Sequence, residues 1–113
     1  MIHGSWKTAT IAQNGTTSAE VDLGRQYEKM VVVVPAMNSC QISFTVATKT
    51  GGTFQALHIT DPADGGDNKV ISANRATAFT WVVPIGGIQF VKVVASASQT
   101  SAARSIYLCG VRS

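Results

Sequence analysis

The sequence predicts an all-β fold: an antiparallel β-sandwich of jelly-roll type with about eight to nine short strands. Three observations predict it. Met30 to Ala36 is an unbroken valine-rich run, Cys40 to Thr48 alternates cleanly between apolar and polar residues, and turn signals recur about every ten residues. No segment has convincing helical periodicity. A small closed barrel is the alternative way to arrange such strands.

Trp6 to Ala12 alternates weakly and reads as a first strand, closed by the turn dipeptide Asn14-Gly15. Ala19 to Leu23 follows as a half-buried strand, with Val21 and Leu23 on one face and Glu20 and Asp22 on the other. Gly24 to Lys29 reads as a short polar connection carrying Arg25 and Tyr27. Four consecutive valines then fit a pleated surface better than a helix, and the run predicts an inner strand covered on both faces. Pro35 cannot donate to a ladder, so it belongs at the strand's end or at a bulge.

In the next strand Cys40, Ile42, Phe44 and Val46 point one way, and Gln41, Ser43, Thr45 and Ala47 the other. Lys49-Thr50-Gly51-Gly52 is a hairpin turn, with Thr53 to Thr60 returning as its partner strand. Asp61 to Asn68 has the composition of a loop, and Lys69 to Ala73 that of a short edge strand. Ala78 to Pro84 is a strand with Phe79, Trp81 and Val83 inward. Ile85-Gly86-Gly87 turns it into a further strand, Ile88 to Ala95. Ser96 to Ala103 is a small, polar loop, and Arg104 to Val111 closes the fold.

The 113 residues make one domain, residues 1–113, with 1–5 a candidate N-terminal arm. Charged residues are 13% of the chain, against about 25% in ordinary soluble domains. Ala, Ser, Thr and Gly are abundant, so the surface is expected to be hydroxyls, methyls and backbone. Such a surface suits lasting contact with other protein. The net charge is +3 and the basic residues are scattered singly, with no basic cluster interleaved with aromatics. No nucleic-acid partner is expected. No apolar run approaches the roughly 20 residues that span a bilayer, and the first residues lack the apolar core of an export signal. The expectation is a protein with no membrane partner that stays in the compartment where it is made. Cys40 and Cys109 lack metal-site spacing and lie in apolar patterns, which favours two buried thiols over a disulfide.

No chemical constellation emerges. Asp61, Asp64, Asp67 and Asn68 form the only carboxylate cluster, but they lack EF-hand spacing and a closing glutamate, so we read a loop without a metal. His58 sits in a strand pattern, and no Gly-x-Ser-x-Gly elbow offers an activated serine. The three Gly-Gly pairs fall at hairpin positions rather than opening a helix. The expectation is no enzyme, no catalytic residue, no cofactor and no metal. Trp81 reads as packing. Ile2 and Trp6, large apolar residues near a chain end, are candidate partner contacts, as are Arg25 and Tyr27.

Three stretches together carry a resemblance. They are Gly15 to Arg25 with Val31 to Pro35 after it, Ser43 to Phe54, and Gly86 to Ala95 running to Tyr107-Leu-Cys-Gly-Val111. The chain resembles small β-sandwich structural proteins of tailed-bacteriophage virions, which decorate or cement capsids or sit in tail-tip assemblies. The resemblance implies a virion component assembled in the host bacterial cytoplasm. Its partners would be the major capsid protein or other virion proteins and further copies of itself, a trimer being common among such proteins. A tail-tip or accessory binding module, for carbohydrate or protein, is the alternative.

Overall fold

The computed structural model describes residues 2–60, 67–72, 74, 76–100 and 102–112. Every regular element among them is a strand: β1 Ile2–His3, β2 Lys7–Ile11, β3 Val21–Val34, β4 Ile42–Ala47, β5 Gln55–Ala56, β6 His58–Thr60, β7 Asp67–Lys69, β8 Phe79–Ala95 and β9 Arg104–Arg112. All pairings are antiparallel. Seven strands form one sheet in the order β1-β9-β3-β8-β4-β5, with β2 also on β9, and β6 and β7 form a separate hairpin.

The strands are not uniformly short, as the sequence suggested. β3 fuses the expected strand Ala19 to Leu23 with the valine strand, and β8 fuses Ala78 to Pro84 with Ile88 to Ala95. The expected connection at Gly24 to Lys29 and the expected turn at Ile85-Gly86-Gly87 are facing irregularities inside two paired strands. Pairing jumps there from Asp22↔Phe90 to Tyr27↔Ile88 and then to Lys29↔Pro84. Gly24, Gly86 and Gly87 supply the positive φ that such bulges require.

These bulges bend the sheet. A straight strand of 17 residues would run about 55 Å at the usual rise. The longest dimension of the molecule is 36 Å, so β8 must turn sharply along its length. Its two halves have different neighbours. Residues 79–84 lie beside β3 alone among the described strands, whereas 90–95 lie between β4 and the start of β3.

One core fills the bend. Met30, Val32, Val34, Val83, Ile106 and Leu108 meet Val21, Leu23, Ile42, Phe44, Val91 and Val93 in a single buried cluster. Pro35 lies just past the end of β3, where a residue without an N–H costs the ladder nothing. The valine strand is interior in the sheet, between β8 and β9, but only one of its faces is fully covered. Val32 and Val34 are buried, while Val31 and Val33 are half-buried. On β4, Ser43 and Ala47 of the expected polar face are buried too. Beside Ser43, Ser72 fastens its segment to β4: its N–H donates to the Ile42 carbonyl at 2.8 Å, and its hydroxyl accepts the Ile42 N–H at 2.8 Å.

The partner strand expected at Thr53 to Thr60 divides in two. Only β5 pairs with β4, and β6 leaves to pair with β7. Asp67 and Asn68 are strand residues of β7 rather than part of a loop, while 61–66 lie outside the described residues. Of the edge strand expected at Lys69 to Ala73, Lys69 ends β7 and Ile71 makes an isolated bridge to Ser43. Ala73 lies outside the described residues. The candidate arm carries a ladder of its own, Ile2↔Arg112 and His3↔Val111, which makes residues 2–3 an edge of the sheet.

Candidate functional site

The candidate contacts gather near the bulge of β3, and they part company there. Trp6 is 54% exposed, and Arg25 is exposed on the bulge. Ile2 pairs through its backbone in β1, and its side chain lies outside the described residues. Tyr27 is 4% exposed, which corrects the expectation that it contacts a partner. Its ring covers Gly110 of β9 and its hydroxyl end reaches Gly4, so closely that a Cβ on either glycine would overlap it. Tyr27 is an anchor between the bulge and the N-terminal strand.

A shallow cleft of about 380 Å³ opens beside it, lined by Gly4, Ser5, Lys7, Leu23, Arg25 and Tyr27. Of the cationic side chains there, Lys7 acts on one tethered carboxylate, Asp22. Its Oδ1 accepts from Gln89 Nε2 at 2.8 Å and from the Gly24 N–H at 2.8 Å. These bonds, the Gln89 one foremost, hold the Asp22 carboxyl below its usual range, with Lys7 adding to the effect. A second cleft, about 560 Å³, lies in the bend of β8 and is lined by Val46, Leu57, His58, Pro84, Ile85 and Ile88, among others. His58 is an exposed strand residue there. Among the described residues, no three His, Cys, Asp or Glu side chains converge as a metal site, and no helix is long and apolar enough to cross a membrane.

The outer face of the sheet shows what sequence reading missed. Paired residues of antiparallel strands share a face. Val82 pairs with Val31, which pairs with Cys109, and Thr80 pairs with Val33, which pairs with Tyr107 and then Thr8. These two rows lie opposite the core and form an apolar stripe across β8, β3 and β9. Val82 is 56% exposed and Tyr107 45%. Cys109 escapes exposure because the N-terminal segment crosses it, its thiol donating to the Gly4 carbonyl at 3.2 Å. The signal was present in the valine run, since a strand whose two faces are both apolar needs a second covering layer. Only the sheet order shows that the described chain leaves this layer incomplete.

The class defined by these features is an antiparallel β domain with a bent continuous sheet and an apolar outer face. No protein-family model matches the chain, and no curated protein matches it. Among solved structures, the SPBc2 prophage-derived protein YomS is similar with a TM-score of 0.55 at 17% identity, over 97% of this chain and 95% of that one. The likeness shows a shared fold over nearly the whole of both chains. Looser likenesses include the endospore appendages of Bacillus that form disulfide-linked pili, with a TM-score of 0.45 at 9% identity over 99% and 88% of the two chains. A dTDP sugar isomerase of Desulfovibrio desulfuricans G20 is similar at a TM-score of 0.45 and 9% identity, over 97% of this chain and 59% of that one.

Proposed function

We propose that this protein is a non-enzymatic structural subunit of a phage virion that binds the assembled shell as a decoration or cement protein. In this reading the bent sheet is a small β-sandwich of jelly-roll type whose outer face docks on capsid protein, after assembly in the host cytoplasm. The observation that carries the proposal is the outer stripe of Val82, Val31, Val33 and Tyr107, on a chain with only 13% charged residues. Uncovered apolar surface costs free energy in water, and a lattice of protein neighbours recovers it. The prophage origin of the similarly folded YomS supports a phage setting. A ligand that binds the assembled shell better than its free subunits stabilises the shell in proportion to occupancy.

The test compares purified shells with and without the protein, heated or held at low salt. The expected outcome is co-sedimentation and longer shell survival. Unchanged survival with no co-sedimentation rejects the cement role. The cleft in the bend of β8 would then favour the second reading, an accessory or tail-tip binding module for carbohydrate or protein.

A further inference from the structure

Among the described residues, the first half of β8 is a sheet edge that no strand besides β3 pairs with. Residues 80–84 pair with β3 on one side, and no other described strand pairs with them on the other. Natural sheet edges are shielded by shortness, charge, proline or bulges, because an unpaired row of N–H and C=O groups templates another strand. The other margins follow this rule. β2 begins with Lys7, the free side of early β3 carries Asp22 next to Glu20 and Val21, and β5 is 2 residues long. By contrast, residues 76–84 contain no charged residue, and the lone proline, Pro84, marks only one end.

The side chains along this edge are also incompletely covered. Trp81 pairs with the fully buried Val32 and stacks on Phe44 at 5.5 Å between ring centroids, yet it remains only half-buried. It sits on the core face where the sheet stops. Val82, its neighbour on the opposite face, is one of the most exposed large apolar residues described.

We propose that Thr80 to Val83 is a homodimerisation edge that pairs antiparallel with the same strand of a second copy, extending the sheet across a two-fold axis. A second copy is favoured because the segment is self-complementary. With no charge on it, self-pairing brings no like charges together, and each favourable pair is made twice. Matching core face to core face restricts the register, since a one-residue slip would put Trp81 against the outer face of its partner. The register centred on Trp81 keeps core face against core face: it places Trp81 opposite Trp81 of the second copy, and Thr80 opposite Val82 in both halves. Pro84, which has no N–H, closes the ladder. This pairing covers the half-buried Trp81 and joins the two outer apolar stripes into one surface. The inference stands apart from shell binding, because it concerns the isolated protein.

The experiment uses charge pairs at the exposed Thr80 and Val82, which are substitutable without touching the core. Sedimentation equilibrium of the wild-type protein is expected to show a monomer–dimer equilibrium. The double variants T80K/V82K and T80E/V82E each set like charges opposite one another twice, and each should dimerise about tenfold or more weakly than wild type. Mixing the two variants should restore a dimer, now a heterodimer, because every lysine on one strand then faces a glutamate on the other. Circular dichroism and melting curves on each variant report whether it is folded. Hydrogen exchange that slows for the 80–83 amides of the wild-type protein with rising concentration gives a readout that needs no substitution. A wild-type monomer at all accessible concentrations overturns the proposal. So does a dimer that both double variants leave intact, or one whose 80–83 amides show no concentration dependence.

Discussion

The side chains that hold this molecule together meet across long stretches of chain. Gln99 is fully buried, although it lies in a segment of small polar residues. Its Oε1 accepts the Asn38 N–H at 2.8 Å, its Nε2 donates to the Ala97 carbonyl at 2.9 Å, and its backbone bonds to Asn14 and Gly15. One amide thus ties three connections together, and each polar atom is satisfied, as burial demands. Cys40 lies within reach of the same Nε2, and burial raises its thiol above the usual range, which keeps it protonated. Both cysteines are free and buried. Tyr27 and Gly110 are the sharpest such pair. The ring fills the space a Cβ would need, so Gly110→Ala is expected to destabilise the fold by about 1–3 kcal/mol through overpacking. Urea unfolding measures this. In a Tyr27→Ala background the same substitution should cost much less, and equal costs in both backgrounds would show that the ring is not what excludes the methyl.

At the scale of elements, the bend and the β4–β5 turn are both fastened by carboxylates at the start of β3, Asp22 within the strand and Glu20 just before it. Glu20 accepts from the Thr50 hydroxyl at 2.6 Å and from the Gly51 N–H at 2.8 Å, which clamps the turn to the strand. Asp22 holds the bulge through Gln89 and Gly24. Those hydrogen bonds favour the charged form and depress both carboxyl groups in the folded state. A depressed folded pKa means that the unfolded chain takes up protons first as pH falls. The contribution to stability is therefore complete above the ordinary values of 4.5 for Glu20 and 3.8 for Asp22, and it is lost as pH falls through the lower folded values. Melting temperature should drop across that acidic range in the wild type. The Glu20→Gln/Asp22→Asn double variant should start lower at neutral pH and show a flatter decline. Parallel curves for the two proteins would remove these carboxylates from the account.

For the whole molecule, the residues that build the core are different from those proposed to make contact with a partner. The core is the interior of one bent sheet, whereas Trp6, Val82 and Tyr107 lie outside it. Exposed positions away from special backbone geometry usually change stability by no more than about 0.5 kcal/mol. Trp6→Ser, Val82→Ser and Tyr107→Ser should each melt within that margin of wild type. On the shell-binding proposal, Val82→Ser and Tyr107→Ser should weaken co-sedimentation with shells, since the stripe supplies the contact. Full binding by both variants would move the docking face off the stripe. Trp6→Ser asks separately whether the N-terminal segment takes part.

The sequence by itself determined that this chain is an antiparallel all-β protein and identified part of its interior. Period-two alternation, β-branched runs and turn dipeptides are local signals, and they placed Ile42, Phe44 and Val83 in the core correctly; of the valine run expected to be covered on both faces, Val32 and Val34 are buried and Val31 and Val33 only half-buried. Only the tertiary structure decided where strands continue. A glycine with positive φ serves a chain-reversing turn or a bulge within a strand equally well, so Gly24, Gly86 and Gly87 could not disclose which they make. The hydrogen bonds between β3 and β8, made by residues far apart in sequence, settle that choice. The same non-local pairing buries Tyr27 beneath Gly110, sets Val82, Val31, Val33 and Tyr107 in one outer stripe, and leaves the uncharged edge of β8 without a neighbour among the described strands. Local sequence dictates what a residue prefers to touch, and sheet order dictates what it can reach.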